Sequence, residues 1–311
     1  MSLRVGIVGL GTISAEHISG WRSVGADIVA TADPRETPQH LPLTPESVTH
    51  YRSLDDMLRF ARLDAIDICT PHHLHWGQLQ ACVLRCPTLV EKPLVTSFTD
   101  LSKLERLWSI CPHPVIMRTN KRFEPHVVSF VEHLKSLPSQ IPVTINIVWL
   151  QRPEYMRERA WYHDRQVSGG GVVLGMGIHL FDIIATYLPA ASMKKTVLRT
   201  SQRYPNAPGT SVENYARLQL TSGRVTVNAL LSCWRQRPHL PFERWSLRLG
   251  ESETASYSRI RATSNDLKQE FSFYTQHLRN GTCHPADQVV IQAHRWALSA
   301  YAIAKEAETL L

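Results

Sequence analysis

Two glycines separated by one residue, Gly9 and Gly11, stand where a short apolar run meets a helical pattern. This junction constrains the fold of the chain more than any other feature. Residues 4–8 are apolar and β-branched, as in a buried strand, residues 13–24 have the apolar spacing of a helix, and residues 27–32 read as a second strand. Strand, tight turn, helix and strand in this order predict a β-α-β unit with parallel strands.

The turn has the residues that a dinucleotide-binding site needs. Gly9 permits the tight bend, Gly11 lets a pyrophosphate approach the backbone, and the small Ser14 lets the helix pack closely on the strand. The amides of Thr12 and Ile13, at the helix start, then face the phosphates. Glycines at a strand-helix turn are also common as plain structure, so the motif alone does not decide the matter.

An acid at the end of the second strand supports the cofactor interpretation. Asp33 lies 19 positions after Ser14, where a carboxylate accepts hydrogen bonds from ribose hydroxyls and favours NAD over NADP. Arg35 leaves NADP as an alternative cofactor, because a guanidinium there can pair with a 2′-phosphate. The alternative is an ordinary turn at Asp33 and Pro34.

The alternation of short strands and helices continues through the first third of the chain. The pattern predicts a doubly wound parallel sheet, a Rossmann domain over residues 1–119. The further strands are predicted at residues 65–69, 88–90 and 115–118, and the helices at 75–85 and 98–110.

The pattern changes after residue 120. A helix at residues 125–137 and a strand at 143–149 precede a charged, aromatic segment over 152–166, and a triple glycine opens a helix predicted to run to residue 188. Alternating segments joined by tight breaks predict antiparallel strands, so residues 120–311 form a second α/β domain. These strands are predicted at residues 196–203, 211–220, 224–232 and 244–249, and closing helices at 265–279 and 286–310.

The positive charge belongs to the second part of the chain. Residues 1–120 hold 11 Lys and Arg against 12 Asp and Glu, whereas residues 121–311 hold 23 against 15. A nucleic-acid partner is disfavoured, because the basic residues are scattered and no zinc-finger spacing or aromatic ribonucleoprotein motif accompanies them. A small acidic ligand is the more specific interpretation of the excess positive charge.

Neither a membrane span nor a secretory segment is expected. The apolar start lacks a preceding basic region and runs into the glycine turn. The apolar stretch 169–188 is interrupted by His179 and Asp182, which would be costly in lipid. The six cysteines show no disulfide spacing and are interpreted as reduced thiols of a cytoplasmic protein.

Several short motifs in a fixed order resemble the glucose-fructose oxidoreductase and inositol dehydrogenase family, Gfo/Idh/MocA. The resemblance covers nearly the whole chain. It implies a Rossmann domain, a second domain built on a large, open, mostly antiparallel sheet, and oxidation or reduction of a sugar or cyclitol hydroxyl with NAD(P). The motifs are the glycine turn with Asp33, Thr70-Pro71-His72-His73-Leu74-His75, Glu91-Lys92-Pro93, Asn120-Lys121-Arg122-Phe123, Gly169-Gly170-Gly171 and Gly177-Ile178-His179.

The same resemblance implies roles for individual residues. Lys92 and His179 would be the catalytic pair. Thr70, Pro71, His75, Glu91 and Lys92 would lie near the cofactor.

The chemistry of the reaction suits this pair. Moving a hydride from a carbinol carbon to nicotinamide leaves a hydroxyl proton, so the site needs a base and a cation near the oxygen. Lys92 follows a strand at the edge where open α/β sheets bind ligands, and His179 exchanges protons near neutral pH. The alternatives are an exposed strand-end lysine and a core histidine. The His72, His73 and His75 cluster lacks a carboxylate or thiolate at ligand spacing, so no metal is predicted.

One position departs from the family pattern. The family commonly has Asp four residues before the histidine, and here Gly175 stands there. Glycine removes an acceptor and a negative charge, and is expected to enlarge the pocket. Three explanations stay open: Lys92 and His179 suffice, the space admits a larger or anionic substrate, or the protein binds dinucleotide with weak or no turnover. An internal redox step in an NAD-dependent hydrolase or lyase is a further alternative.

The substrate wall is expected to combine cations and aromatic rings. Guanidinium groups bind phosphate or carboxylate, and aromatic faces cover sugar rings or bases, which predicts an anionic substrate such as a nucleotide-linked sugar or sugar acid. Solvated arginines or a subunit interface are the alternative. The predicted substrate-binding residues are Asn120, Arg122, Arg152, Tyr155, Trp161, His163, Gly175 and His179, with Lys121 beside them.

The second domain also predicts self-association. Its strands need a covered outer face, and apolar groups at Cys233-Trp234 and at residues 242–245 could pack on another subunit. The family resemblance likewise suggests a homodimer or homotetramer.

Overall fold

The computed structural model describes residues 2–36, 41, 43, 47–137, 141–151, 160–199, 211–233, 242–250, 252–259, 266–282 and 287–309. The chain divides into two compact units. The first contains Met1–Val95, Thr99–Arg118 and Asn265–Asp287, and the second contains Thr96–Phe98, Thr119–Ser264 and Gln288–Leu311. The predicted boundaries of 1–119 and 120–311 differ from this division, because they leave residues 265–287 in the second domain.

The first unit is built on six parallel strands in the order β3-β2-β1-β4-β5-β6. This confirms the predicted doubly wound Rossmann sheet. The short strand β3 and the helix after it were not predicted from the sequence. The elements are β1 (Arg4–Val8), α1 (Ser14–Ser23), β2 (Asp27–Ala32), β3 (Thr49–Tyr51), α2 (Leu54–Phe60), β4 (Ala65–Ile68), α3 (His72–Cys82), β5 (Thr88–Val90), α4 (Phe98–Trp108) and β6 (Val115–Met117).

The second unit is built on a mixed sheet in the order β12-β11-β7-β10-β9-β8. All its pairs are antiparallel except β7 with β10, which confirms a mostly antiparallel sheet. Buried and half-buried residues alternate along β7, as expected for a sheet with one covered face. The elements are α5 (Pro125–Ser136), β7 (Val143–Leu150), α6 (Arg165–Ser168), α7 (Ile178–Tyr187), β8 (Ser192–Arg199), β9 (Tyr215–Ser222), β10 (Val225–Ser232), β11 (Phe242–Leu249) and β12 (Ser252–Arg259), followed by α8 (Leu267–Asn280) and α9 (Asp287–Thr309).

Helix α8 returns to the first unit. The side chain of Asp266 caps it by accepting from the amide of Gln269 at 3.1 Å. Its Phe271 packs edge-on against Trp21 of α1, with ring centroids 5.0 Å apart. A Cβ on Gly20 would overlap the Phe271 ring, so this glycine allows the two helices to approach closely.

The predicted helix from the triple glycine to residue 188 is interrupted. Gly169 ends α6 with φ at +79°, a π-helical turn spans Val173–Gly177, and α7 begins at Ile178. Single π turns inside helices are frequent at functional sites. The stretch Arg165–Tyr187 is long and apolar enough to cross a membrane by length and composition, but 89% of its apolar window is buried, as in a core helix.

Candidate functional site

The glycine turn after β1 is closely packed at Gly9 and open at Gly11. Gly9 has a φ of +88°, and its amide donates to the carbonyl of Ala32 at 2.8 Å. A Cβ on Gly9 would lie 2.7 Å from Cγ2 of Thr70, so the position requires glycine. Around Gly11, no heavy atom of the described chain lies within 4 Å of the place a Cβ would take. Such open space fits a pyrophosphate approaching the backbone.

Asp33 is oriented by the same turn. Its Oδ2 accepts from the amide of Leu10 at 2.8 Å, and its Oδ1 accepts from the amide of Arg35 at 2.9 Å. Burial would raise the pKa of Asp33, but the hydrogen bonds from Arg35 and Leu10 outweigh it and lower the pKa. The lowered pKa favours the ionised carboxylate, and the two amides hold it at the glycine turn, where an acid can accept from a ribose. The Arg35 side chain, 74% exposed, pairs with this carboxylate at 3.1 Å.

The backbone of Lys92 is held by the side chain that precedes it. Glu91 Oε2 accepts from the amide of Lys92 at 3.1 Å, and its Oε1 accepts from Nη1 of Arg118 at 3.1 Å. Glu91 Oε1 also lies 3.1 Å from Nε2 of His17. With 8% of its surface exposed, Glu91 faces the interior of the first unit. These contacts support a positioning role for Glu91 instead of the predicted contact with the cofactor.

Glu91 belongs to a buried charged network that we call the Arg118 cluster. Arg118, 2% exposed, donates from Nε to Glu270 at 2.7 Å and also pairs with Glu16. His17 Nδ1 lies 2.7 Å from Asp67 Oδ2, which also accepts from the indole of Trp21 at 2.7 Å. The cluster consists of Glu16, His17, Asp67, Glu91, Arg118 and Glu270.

The pKa shifts of His17 and Glu91 in the Arg118 cluster favour the charged form of both side chains. Burial alone would lower the pKa of His17, but the Asp67 carboxylate raises it well above the usual value. Burial alone would raise the pKa of Glu91, but the hydrogen bond from His17 and the charge of Arg118 lower it well below the usual value. The strand end that carries Lys92 is thus anchored by opposite charges.

His75 connects the two loops that follow β4 and β5. Its Nδ1 lies 2.7 Å from the carbonyl of Pro93, and its Nε2 lies 2.7 Å from the carbonyl of Thr70. Burial lowers the pKa of His75. The Thr70 hydroxyl donates to Gln78 at 2.5 Å, and Pro71 caps α3. Thr70, Pro71 and His75 therefore shape the loops at the carboxyl edge of the sheet.

In the second unit, His179 lies in the first turn of α7 and is 8% exposed. Its ring centroid is 5.9 Å from that of Trp149, at the end of β7. The ammonium of Lys121 lies 4.2 Å from the centre of the Trp149 ring and pairs with Glu124 at 2.9 Å and with Glu243. Placing Lys121 in the substrate wall was therefore wrong, because its charge is buried and paired inside the unit.

Arg122 is also paired internally. Its Nε donates to Oδ2 of Asp182 at 2.7 Å, and its Nη2 donates to Oδ1 at 2.8 Å. Nη2 also donates to the Thr186 hydroxyl at 2.7 Å. Burial raises the pKa of Asp182 despite the charge of Arg122. The ion pair connects the turn at Asn120–Phe123 to α7. These contacts support a positioning role for Arg122 in place of the predicted contact with substrate.

The triple glycine packs against a buried carboxylate that sequence reasoning missed. Glu213 accepts from the amides of Gly171 and Val173 at 3.0 Å and from the Tyr301 hydroxyl at 2.9 Å. Burial raises the pKa of Glu213 despite these hydrogen bonds. A Cβ on Gly170 would lie 2.6 Å from Cζ of Tyr301, so glycine is required for this close packing.

The space beside Gly175, where a side chain at this position would lie, is occupied by Tyr162. A Cβ there would overlap the hydroxyl oxygen of Tyr162 and would lie 2.6 Å from its Cζ. Tyr162 is 2% exposed and stacks at a tilt on Trp161, with centroids 4.8 Å apart. The expectation that Gly175 enlarges the pocket was therefore wrong, because a tyrosine occupies the space that the glycine leaves.

The remaining predicted substrate residues fall into two groups. Asn120 Oδ1 and both ring nitrogens of His163 are buried and have no hydrogen-bond partner within the described ranges. The carbonyl of His163 accepts from the amide of Ser211 at 3.0 Å. Arg152 and Tyr155, with Arg157 and Arg159, lie outside the described residues.

Among the described residues, two groups have the composition of metal sites, but protein cations lie among them. The first is His17, Asp67 and Cys69, where His17 is protonated and burial raises the pKa of Cys69 to about 12. The second is Glu124, His126 and Glu243, where the Lys121 ammonium contacts both carboxylates. Neither donor set suits a metal ion.

Comparison with known proteins identifies a family match to the first unit and a similar curated sequence. Residues 3–111 match the Gfo/Idh/MocA family model, described as an oxidoreductase family with an NAD-binding Rossmann fold. Inositol 2-dehydrogenase 1 of Saccharopolyspora erythraea is 25% identical over 212 residues, which are 64% of this chain and 58% of that protein. The chain thus spans little more than half the length of that relative.

Solved structures share the whole fold. The WlbA dehydrogenase of Bordetella pertussis, in complex with NADH and UDP-GlcNAcA, has a TM-score of 0.81 at 17% identity and covers 99% of this chain and 98% of its own. Myo-inositol 2-dehydrogenase of Lactobacillus plantarum has a TM-score of 0.79 at 15% identity, with the same coverage. At these identities the likeness shows the fold. The family match identifies residues 3–111 as an NAD-binding Rossmann domain of the Gfo/Idh/MocA oxidoreductase family, and the solved structures show that the rest of the chain shares their fold.

Proposed function

We propose that the protein is an NAD-dependent dehydrogenase or reductase that acts on a CH–OH group of a sugar, a cyclitol or a nucleotide-linked sugar. The observation that carries this proposal is the glycine turn, in which the side of Gly11 is open and the Asp33 carboxylate is already oriented. The inositol dehydrogenase and WlbA relatives support the substrate class.

The residues of the first unit would bind the cofactor. The amides of residues 11–13 meet the pyrophosphate, and Asp33 accepts from the adenosine ribose. Arg35 leaves NADP as a weaker alternative, since its exposed guanidinium can turn from Asp33 to a 2′-phosphate. When bound, the nicotinamide supplies the hydride acceptor or donor.

Lys92 and His179 would carry the proton chemistry. The Lys92 ammonium stabilises negative charge on the reacting oxygen, and His179 takes up or returns the hydroxyl proton. Thr70, Pro71 and His75 shape the loops around Lys92, and Glu91 holds its backbone. Asn120, Trp161 and His163 are the described side chains that we assign to the substrate.

An acidic group on the substrate is a finer proposal. Lys121 and Arg122 are paired internally, so the support for an anionic substrate is Arg152 in the sequence and the UDP-GlcNAcA bound by the WlbA dehydrogenase.

Turnover with each cofactor tests the proposal. Purified protein is incubated with NAD⁺ or NADP⁺ and a panel of sugars, cyclitols and UDP-sugar acids. We expect reduction of NAD⁺ with at least one class, and loss of that activity in His179→Ala but not in the matched control His113→Ala. An absence of turnover across the panel in both directions would contradict the proposal.

A dinucleotide-binding protein with weak turnover is the second candidate, motivated by the lack of an acid at Gly175. An NAD-dependent hydrolase or lyase with no net redox change is a variant of it. Product analysis without added free cofactor separates these from net oxidation. Turnover abolished by His179→Ala excludes the weak binder.

We infer a cytoplasmic location from the cysteines, since Cys69, Cys82 and Cys86 are free thiols. A homodimer or homotetramer through the second sheet is proposed, and light scattering during size-exclusion chromatography tests it. A monomer at every concentration would contradict it.

A further inference from the structure

Trp149, near the end of β7, packs against the imidazole of His179. The two ring centroids are 5.9 Å apart, and the ring planes are inclined by 50°. Both side chains are buried, since 6% of Trp149 and 8% of His179 is exposed. An indole at this distance fills one side of the imidazole, so it restricts the rotamers that His179 can adopt.

The two rings meet because α7 begins close to the sheet. Gly177, the last residue before α7, faces β10, where a Cβ on this glycine would lie 3.0 Å from Cδ1 of Leu231. Leu231 is the partner of Trp149 in the parallel pair of β10 with β7. The start of α7 therefore rests on side chains of two neighbouring strands, and one of these side chains is the indole beside His179.

The turn that carries Lys121 and Arg122 holds the indole and the helix together. The Lys121 ammonium lies 4.2 Å from the centre of the Trp149 ring, a favourable cation–π distance, and pairs with Glu243 of β11. Arg122, the next residue, donates from Nε to Oδ2 of Asp182 in α7 at 2.7 Å. This turn is thus attached both to the sheet that carries the indole and to the helix that carries the imidazole.

We propose that Trp149 is a positioning residue for the dehydrogenase reaction, whose indole holds the His179 imidazole in the orientation that exchanges a proton with the substrate. A catalytic group that is already oriented spares the entropy of ordering it during the reaction. Lys121 and Arg122 then serve the site indirectly, through the indole and through α7. The role of the imidazole rests on the proposed function, whereas the ring contact does not.

The ring contact is tested by NMR of the His179 ring protons, assigned by comparison with His179→Gln. An aromatic ring displaces the resonances of nearby protons, so Trp149→Leu should move the His179 signals. Trp149→Phe keeps a smaller ring and should also move them, with less disturbance of the fold. Signals that stay in place in both variants would overturn the proposal.

Trp296→Leu is the matched control for the loss of a buried indole against α7. Trp296 is 3% exposed and packs on Phe181 of α7, with ring centroids 6.4 Å apart. Phe181 points about 200° around the helix from His179, so this indole supports a different face of the same helix. We expect Trp296→Leu to lower the Tm as Trp149→Leu does and to leave the His179 signals in place.

The role in the reaction is tested by steady-state kinetics. Trp149→Leu should lower kcat on the order of tenfold with little change in the KM for substrate or for NAD⁺, because a mobile imidazole is oriented for proton exchange less often. Trp149→Phe should recover most of the lost kcat, and Trp296→Leu should keep the wild-type kcat. A loss confined to KM, or a loss of kcat that Trp296→Leu matches, would overturn the positioning role.

The two measurements distinguish this inference from the proposed function. If the wild type turned over no substrate, the proposed function would fail, and the NMR comparison would still decide whether Trp149 orients His179. If the wild type is active and Trp149→Leu retains its kcat, the proposed function stands and the positioning role of Trp149 is wrong.

Discussion

Lys92 and His179 are held in place by different physical means, each within its own unit. The strand end that carries Lys92 rests on the Arg118 cluster, in which buried carboxylates face a guanidinium and a protonated imidazole. The helix that carries His179 rests on close packing around glycines, with Glu213 capping the glycine segment and Tyr162 filling the space at Gly175. The first support depends on charge and the second on close packing. Substitutions and changes of pH should therefore destabilise them differently.

Arg118→Met should be the most damaging single change. It removes the cation that Glu91 and Glu270 share and leaves both carboxylates buried without it. Breaking a buried pair of this kind costs about 3–5 kcal/mol. The free energy of unfolding, measured by denaturant titration, checks this. Arg59→Met, on the exposed surface of α2, is the control and should cost less than about 0.5 kcal/mol.

Gly171→Ala tests the support that depends on shape. The added Cβ would overlap the carbonyl oxygen of Glu213 and lie 2.8 Å from its carbonyl carbon, so backbone must move. Overpacking of this kind costs about 1–3 kcal/mol. Gly77→Ala, where no heavy atom of the described chain is near, should instead be neutral or stabilising by up to about 1 kcal/mol. Equal effects of the two variants on the free energy of unfolding would contradict the packing account.

Glu91 and Glu213, one buried carboxylate from each support, should respond to pH with opposite signs. The folded pKa of Glu91 is below its usual value of 4.5, so its contribution to stability is present above pH 4.5 and is lost as pH falls through the folded pKa. The folded pKa of Glu213 is above 4.5, so the wild type loses stability as pH rises from 4.5 through that pKa.

The cost of Glu91→Gln should therefore grow with pH and that of Glu213→Gln should shrink. Between about pH 4 and pH 7 we expect the cost of Glu91→Gln to rise by about 0.8 kcal/mol, the limit set by the usual pKa of 4.5, and the cost of Glu213→Gln to fall over the same range. Unfolding measured across this range gives both slopes. Two slopes of the same sign would refute the distinction between the supports.

Arg35→Ala should have the smallest effect on stability and sharpens the contrast with Arg118. Its pair with Asp33 has the same chemistry as the Arg118 pairs, but the guanidinium is 74% exposed. An exposed pair contributes about 0–1 kcal/mol, so the Tm should hardly change. The KM for NADP⁺ should rise while that for NAD⁺ changes little. A rise for NAD⁺ alone would contradict the assignment of Arg35.

The sequence predicted the features that depend on a few neighbouring residues. The glycine turn, the acid at Asp33 and the strand before Lys92 each follow from a few neighbouring residues. The edge strand β12 was missed because Ser252–Arg259 is mostly polar, and only the half-buried Ala255 and Tyr257 mark its inner face. The short strand β3 offered too few residues for any period to be recognised.

The contacts that support the site join residues far apart in the chain. Arg118 and Glu270 are 152 positions apart, and Gly171 and Glu213 are 42 apart. An acid on the apolar face of α8, beside Phe271 and Tyr274, was the one available signal for Glu270. Nothing near Gly175 in the sequence indicates that Tyr162 fills its space, because that match depends on how the turn before α6 packs.

The central proposal is that Lys92 and His179 would carry the proton chemistry of an NAD-dependent dehydrogenase. Nicotinamide reduction, followed by absorbance in wild type, Lys92→Met and His179→Gln at equal concentration, tests it most directly. The account predicts reduction of NAD⁺ by the wild type with a sugar, cyclitol or UDP-sugar acid, and a loss of about a hundredfold or more in each variant at an unchanged Tm. Variants that match the wild type would contradict it.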